Sequence, residues 1–156
     1  MMVTLQPPPR QIAVLRANGL GDFLLATPAL RALGKAFPGA DITYLSQPWL
    51  QRFIAGRYPY IHCVESIPPY PGLRAADPDR PDPGPEADAF FQSMVSRRFD
   101  LAIQMHGGGR YSNPFVARLG ARHTLGLCTA DAPPLDINLS YQYYQHETLR
   151  YLELVS

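Results

Sequence analysis

The sequence predicts an α/β fold: a parallel sheet covered by helices on both faces, doubly wound. Three observations carry this. Short runs of strand length alternate with longer segments whose apolar residues recur at helical spacing. The short runs are apolar throughout, as befits strands buried on both faces. And 156 residues, 46% of them hydrophobic and 17% charged, suffice for one such core.

The elements follow in order. Gln11–Arg16 (QIAVLR) reads as a first strand. Asp22–Phe37 reads as a helix, with Ala26, Leu30, Leu33 and Phe37 on one stripe and Pro38-Gly39 ending it. Pro28 falls inside that helix and removes the bond to the Leu24 carbonyl, which predicts a kink or an irregular first turn. Asp41–Leu45 is a second strand. Pro48 opens a helix carrying Trp49, Leu50, Phe53 and Ile54. Ile61–Ile67 is a third strand. Residues 68–86 are dense in proline, with no apolar period, and read as a long loop. Beyond it come a helix at Ala87–Arg98, a strand at Asp100–Met105 and a short helix at Asn113–Leu119. A fifth strand at His123–Leu127 and a final helix at Glu147–Leu154 complete the series.

Composition excludes several functions. Fourteen basic and 13 acidic residues give a net charge of +1, too balanced for a nucleic-acid binder. Cys63 and Cys128 form no C-x-x-C pair and are expected as buried free thiols in a reducing cytoplasm. His62, His106, His123 and His146 lack metal-ligand spacing, so no metal site is expected. No G-x-S-x-G elbow occurs. No apolar stretch reaches the roughly 18 residues of a membrane span, and residues 1–10 carry no apolar signal core. A soluble, cytoplasmic protein is the expectation.

Right-handed crossovers place ligands outside the carboxyl ends of the strands. Three segments land there: Ala17–Asp22, Ser46–Pro48 and His106–Arg110. The first, Ala17-Asn18-Gly19-Leu20-Gly21-Asp22, joins a strand to a helix, and its glycines would let the backbone turn tightly near a ligand. It is no dinucleotide site. Leu24 stands where a third glycine belongs, and Leu45-Ser46-Gln47 offers no acid for a ribose. No G-K-[ST] follows either, which excludes a P-loop. Asp22 has two readings: an N-cap of the helix, or a general base facing the crevice. His106 is either a loop histidine bonded to backbone or an acceptor contact, with Gly107-Gly108-Gly109 giving a ligand close approach. Arg110 could fork onto a phosphate or carboxylate. Arg16 ends its strand and reads equally as solvent-facing or ligand-facing. Tyr141, Tyr143 and Tyr144 suit packing or a domain interface.

With these residues in view, IAVLRANGLGDFLLATPALRALGKAFPGADITYLSQP resembles the opening of glycosyltransferase family 9, the ADP-heptose:lipopolysaccharide heptosyltransferases. The matching features are Gly21-Asp22, the Leu25–Leu30 run and the Phe37-Pro38 exit. FDLAIQMHGGGR, ARHTLGL and HETLRYLEL are similar to later segments of that family, in the same order. The similarity spans about residues 11–67 and 98–156. Gln104 departs from it, since members often carry Asp two residues before the His-Gly, and residues 68–86 look like an insertion.

The resemblance implies a GT-B architecture, two Rossmann-like domains across a cleft, of which this chain is the N-terminal, acceptor-binding half. It implies an inverting sugar transfer without a protein-bound metal, in lipopolysaccharide biosynthesis or on a related glycan. Asp22 then takes the role of catalytic base, and Asn18, Gly19, Gly21, His106, Gly107 and Arg110 that of substrate contacts. No cofactor is expected beyond the nucleotide-sugar donor, ADP-heptose, held mainly by an absent C-terminal domain. The partners are that donor and a glycan or glycolipid acceptor. Peripheral contact with the inner face of the cytoplasmic membrane is a further expectation, as is a homodimer through an exposed interface of Phe115, Tyr143, Tyr144 and Tyr151. The division expected is a flexible tail at 1–10, the acceptor domain at 11–138 and a helical linker at 139–156. Alone, such a half should not turn over. The competing readings are a non-catalytic Rossmann-like sugar- or phosphate-binding module and a fragment of a longer enzyme.

Overall fold

The computed structural model describes residues 5–75 and 84–156. Strands β1 (Gln11–Leu15), β2 (Asp41–Ser46), β3 (Cys63–Ser66), β4 (Leu101–Gln104), β5 (His123–Cys128) and β6 (Ile137–Ser140) form one sheet. Its order is β3-β2-β1-β4-β5-β6, and every neighbouring pair is parallel. Helices α1 (Leu20–Ala36), α2 (Pro48–Ile54), α3 (Pro85–Ser96), α4 (Ser112–Ala117) and α5 (Glu147–Leu154) cover it. This is the Rossmann-like, doubly wound sheet the sequence predicts.

Two apolar layers flank the sheet, because its strands are apolar on both faces. One joins Ile12, Val14, Ile42 and Tyr44 to α1, α2 and α5 through Phe23, Leu30, Leu50, Tyr151 and Leu154. The other joins Ala13, Leu15, Leu45 and Ala102 to α3 and α4 through Phe91, Met94, Phe115 and Val116. Phe115 stacks against Tyr70, Phe90 and Phe91, with centroids at 4.9–5.7 Å. Phe115 and Tyr151 are therefore core residues and not members of an exposed interface, whereas Tyr143 and Tyr144 do stand in solvent.

The structure corrects the sequence reading at several places. β6 went unforeseen: its four residues follow a Pro-Pro turn, and only Ile137 and Leu139 are apolar. It straddles the expected boundary after residue 138. α5 packs on α1 and buries Tyr151 and Leu154 in the same layer, so this helix is part of the domain's core. Residues 5–10 do not form a free tail. Leu5 packs on the core, Pro9 is buried, and the Arg10 N–H donates to Asp100 Oδ2 at 2.8 Å.

α1 runs unbroken through Pro28. The Leu24 carbonyl orphaned by that proline accepts the Thr27 hydroxyl at 2.7 Å, which restores its bond without a break. The proline-rich segment is also more ordered at its start than expected. Tyr70 and Leu73 are buried and the chain turns back at Arg74, while residues 76–83 lie outside the described set. Pro85 and Glu86 already belong to α3, because Pro favours the first turn of a helix. Cys63 and Cys128 are free, as expected, but only half-buried. No described helix is long and apolar enough to cross a membrane.

Candidate functional site

The strand order reverses between β1 and β4, and the connections leave them in opposite directions. That switch point opens a crevice at the carboxyl ends of the two strands. The turn after β1 carries Asn18, Gly19, Gly21 and Asp22, and the turn after β4 carries His106, Gly107 and Arg110. The fold thus brings together residues some 90 positions apart. The turns touch where the Ala17 N–H donates to His106 Nδ1 at 3.2 Å.

The first turn is held by charge. α1 begins at Leu20 with Gly19 as its N-cap, so Asp22 is the third helical residue and not the cap itself. Its Oδ2 accepts the Gly19 N–H at 2.9 Å, a reach back to the cap backbone that offsets one orphan donor. Its Oδ1 accepts Arg16 Nη2 at 2.7 Å. Arg16 is no surface residue: only 4% of its side chain is exposed, and the same Nη2 also reaches Glu147 Oε2 at 3.2 Å. Burial works against the guanidinium's charge, but Tyr151, Asp22 and Glu147 together hold its pKa above the ordinary value. A strand-end arginine before a glycine turn gave no signal of this. Its carboxylate partner on α5 lies 131 positions away.

Gly19 and Gly21 adopt ordinary negative φ, so tight turning is not why glycine stands there. A Cβ on Gly21 would meet no atom within 4 Å. The space above Gly21 is open, and Asn18 and Gly21 are exposed at its rim.

The second turn is a hydrogen-bonded cage. Gln104, fully buried, donates to Asn113 Oδ1 at 2.9 Å and to the Leu127 carbonyl at 3.2 Å. Its Oε1 accepts the His106 N–H at 2.7 Å. The Gly108 carbonyl accepts the Thr129 N–H at 2.8 Å. Here glycine is required. Gly107 and Gly109 have φ of +64° and +96°, and a Cβ on Gly109 would sit 2.4 Å from Asn113 Nδ2. Gln104 is thus the organiser of the turn.

This turn lines a cleft of about 280 Å³ with Arg110, Tyr111, Ser112, Thr129, Asp131, Tyr143 and Gly72. Arg110 is exposed, 3.9 Å from Asp131 Oδ2 and over the Tyr111 ring. The Thr129 hydroxyl bonds Asp131 and holds its carboxyl below the usual range. His106 sits at the cleft floor. Burial, and then the Arg16 charge, push its pKa down to about 4. It is therefore neutral at pH 7. With Nδ1 accepting from Ala17, its proton lies on Nε2 and the ring can act as a donor there. Asp22, Asn18, Gly19 and Gly21 do not line this cleft but lie next to it, across the Ala17–His106 bond.

Among the described residues no group of three His, Cys, Asp or Glu converges as a metal site would require. What the crevice offers is a half-exposed carboxylate, a neutral imidazole donor, an exposed arginine and two exposed tyrosines at its rim.

No protein-family model and no curated protein matches the chain. Solved structures do share its fold. A glycosyl transferase family 9 protein from Veillonella parvula DSM 2008 superposes with a TM-score of 0.73 at 20% identity, over 94% of this chain and 40% of the other. The E. coli heptosyltransferase WaaC with ADP-2-deoxy-2-fluoro heptose superposes at 0.71 with 19% identity, over 93% and 47%. WaaC with ADP gives 0.56 at 18% identity, over 93% and 46%. The chain spans less than half the length of each.

Proposed function

We propose that this chain is the acceptor-side domain of an inverting glycosyltransferase of the heptosyltransferase type. The observation that carries this reading is Asp22, held half-exposed at the switch point beside the His106–Arg110 cleft. It stands in a fold shared with part of a glycosyl transferase family 9 protein and of the heptosyltransferase WaaC. The donor in this reading is a nucleotide-activated sugar, ADP-heptose first among candidates. The acceptor is a lipopolysaccharide core sugar or related glycan. The setting is cytoplasmic, at the inner face of the membrane.

The chemistry follows from the side chains. Asp22 takes the proton of the acceptor hydroxyl as that oxygen bonds to the anomeric carbon. The bond from the anomeric carbon to the phosphate oxygen breaks, and the nucleotide diphosphate leaves from the opposite face. Each Asp22 oxygen keeps a lone pair beyond its bonds to Gly19 and Arg16. Open space above Gly21 lets the acceptor ring approach. His106 Nε2–H and Arg110 orient the acceptor, Arg110 by pairing with a phosphate or carboxylate. Donor contacts belong to the remainder of a longer enzyme, so the chain alone does not turn over.

A second reading has its own support. Both Asp22 oxygens are engaged, and a clasp that merely pins the glycine turn in a sugar-binding module would look the same.

Amide chemical-shift mapping on the isolated chain tests the acceptor side. A phosphorylated core-oligosaccharide acceptor should perturb residues 18–22 and 106–110 together, and ADP-heptose should perturb neither turn. Tight binding of ADP-heptose at these turns would contradict the assignment.

A further inference from the structure

We propose that Arg16 and Glu147 form a clasp in which the Glu147 charge sets how readily Asp22 takes a proton. The proposal rests on the reading of Asp22 as the base. It makes Arg16 and Glu147 positioning residues, acting on the acceptor through Asp22.

The geometry is specific. One nitrogen, Arg16 Nη2, serves both carboxylates, Asp22 Oδ1 at 2.7 Å and Glu147 Oε2 at 3.2 Å. Glu147 is the first residue of α5, and its carboxylate accepts from Arg16. Its Oε2 also accepts the Tyr151 hydroxyl at 2.9 Å, and Arg150 Nη1 stands 3.8 Å from its Oε1. Thr148 ties the same turn to α1 by donating to the Leu25 carbonyl at 3.2 Å. The Arg16 Nε, buried, has no partner, so the guanidinium has not spent its hydrogen bonds on the backbone.

Two carboxylates sharing one cation compete for it. While Glu147 is seated, its negative charge opposes that of Asp22 and takes part of the guanidinium. Without that charge, Arg16 pairs with Asp22 alone, and the carboxylate becomes a poorer base. The other groups around Asp22 are Arg16 at the end of β1, Tyr151 on α5, His106 after β4 and Tyr44 of β2. The Tyr44 hydroxyl donates to the Arg16 carbonyl at 2.8 Å. Tyr44 and Tyr151 have their pKa raised by burial, so neither ionises in the working range. His106 titrates only near pH 4. Beyond Arg16 itself, Glu147 is the charge whose removal bears on Asp22.

The test uses the 156-residue chain with carboxyl-13C aspartate, the Asp22 signal being identified by its loss in Asp22→Asn. Glu147→Gln keeps an acceptor for Tyr151 and removes only the charge. It should lower the Asp22 titration midpoint by about one pH unit. Tyr151→Phe, which leaves the charge in place, should move it by less than half as much. Arg16→Gln should raise the midpoint; if that variant does not fold, Glu147→Gln decides alone. A midpoint unmoved within ~0.2 pH unit in Glu147→Gln overturns the clasp. The base reading fails separately: if Asp22→Asn spares sugar transfer, Asp22 is no base, whatever the titration shows.

Discussion

The turns after β1 and β4 sit side by side at one crevice but are built on opposite plans. The β1 turn uses glycine where nothing in the backbone requires it and fixes its one acid by an ion pair and a backbone hydrogen bond. The β4 turn uses glycine where φ is positive and a side chain would collide, and it fixes its shape by a buried amide network. Gly21 stands exposed, with no atom within 4 Å of where a Cβ would lie. A cage closed by its own hydrogen bonds is scaffold, and what it presents are the residues on its rim, His106 and Arg110. Under the proposed function, chemistry falls to the first turn and positioning to the second.

Substitutions sharpen this contrast. Gly109→Ala forces φ of +96° on a residue with a Cβ and drives that atom into Asn113. It should cost about 3 kcal/mol of stability in chemical denaturation. A cost under 1 kcal/mol would mean the cage yields easily.

The pH response comes next. His106 has a depressed folded pKa of about 4 against an ordinary 6.5. The unfolded chain binds the proton first, so the stabilisation is complete above about pH 6.5 and is lost as pH falls toward 4. Its size is about 2 kcal/mol after allowing for partial exposure. Urea midpoints measured across that range should fall in the unchanged chain and stay flatter in His106→Phe. An equal fall in both would place the effect elsewhere.

The smallest effect belongs to the first turn. Gly21→Ala meets no atom and replaces a helical glycine, so it should stabilise the chain by about 0.5–1 kcal/mol. If the space above it receives the acceptor, the same change should weaken acceptor binding. Gains in both stability and binding would remove the argument for a ligand at this point.

Much of this was legible in the sequence. Five of the six strands and all five helices follow from apolar runs and from Gly and Pro punctuation, within a few residues at their ends. The crevice follows from the alternation of strand and helix, which leaves the loops at the carboxyl ends facing the switch point. β6 was not legible because a four-residue edge strand with two apolar side chains resembles any loop. Arg16 was not legible either. Its burial is created by Glu147 and Tyr151 arriving from the far end of the chain, a tertiary event no local pattern encodes. Phe115 misled for a related reason: an aromatic in a short helix looks exposed until Tyr70 and Phe91 are folded against it.

The central claim is that Asp22 is the base of a sugar transfer whose acceptor side this chain provides. The most direct measurement is transfer from ADP-heptose to a core-oligosaccharide acceptor by an enzyme containing this domain and a donor-binding half, with Asp22 intact or changed to Asn. The account predicts a rate lower by about 10³-fold with acceptor affinity changed less than ~2-fold. A rate within a few-fold of the unchanged enzyme would contradict it and leave Asp22 as a clasp on the glycine turn.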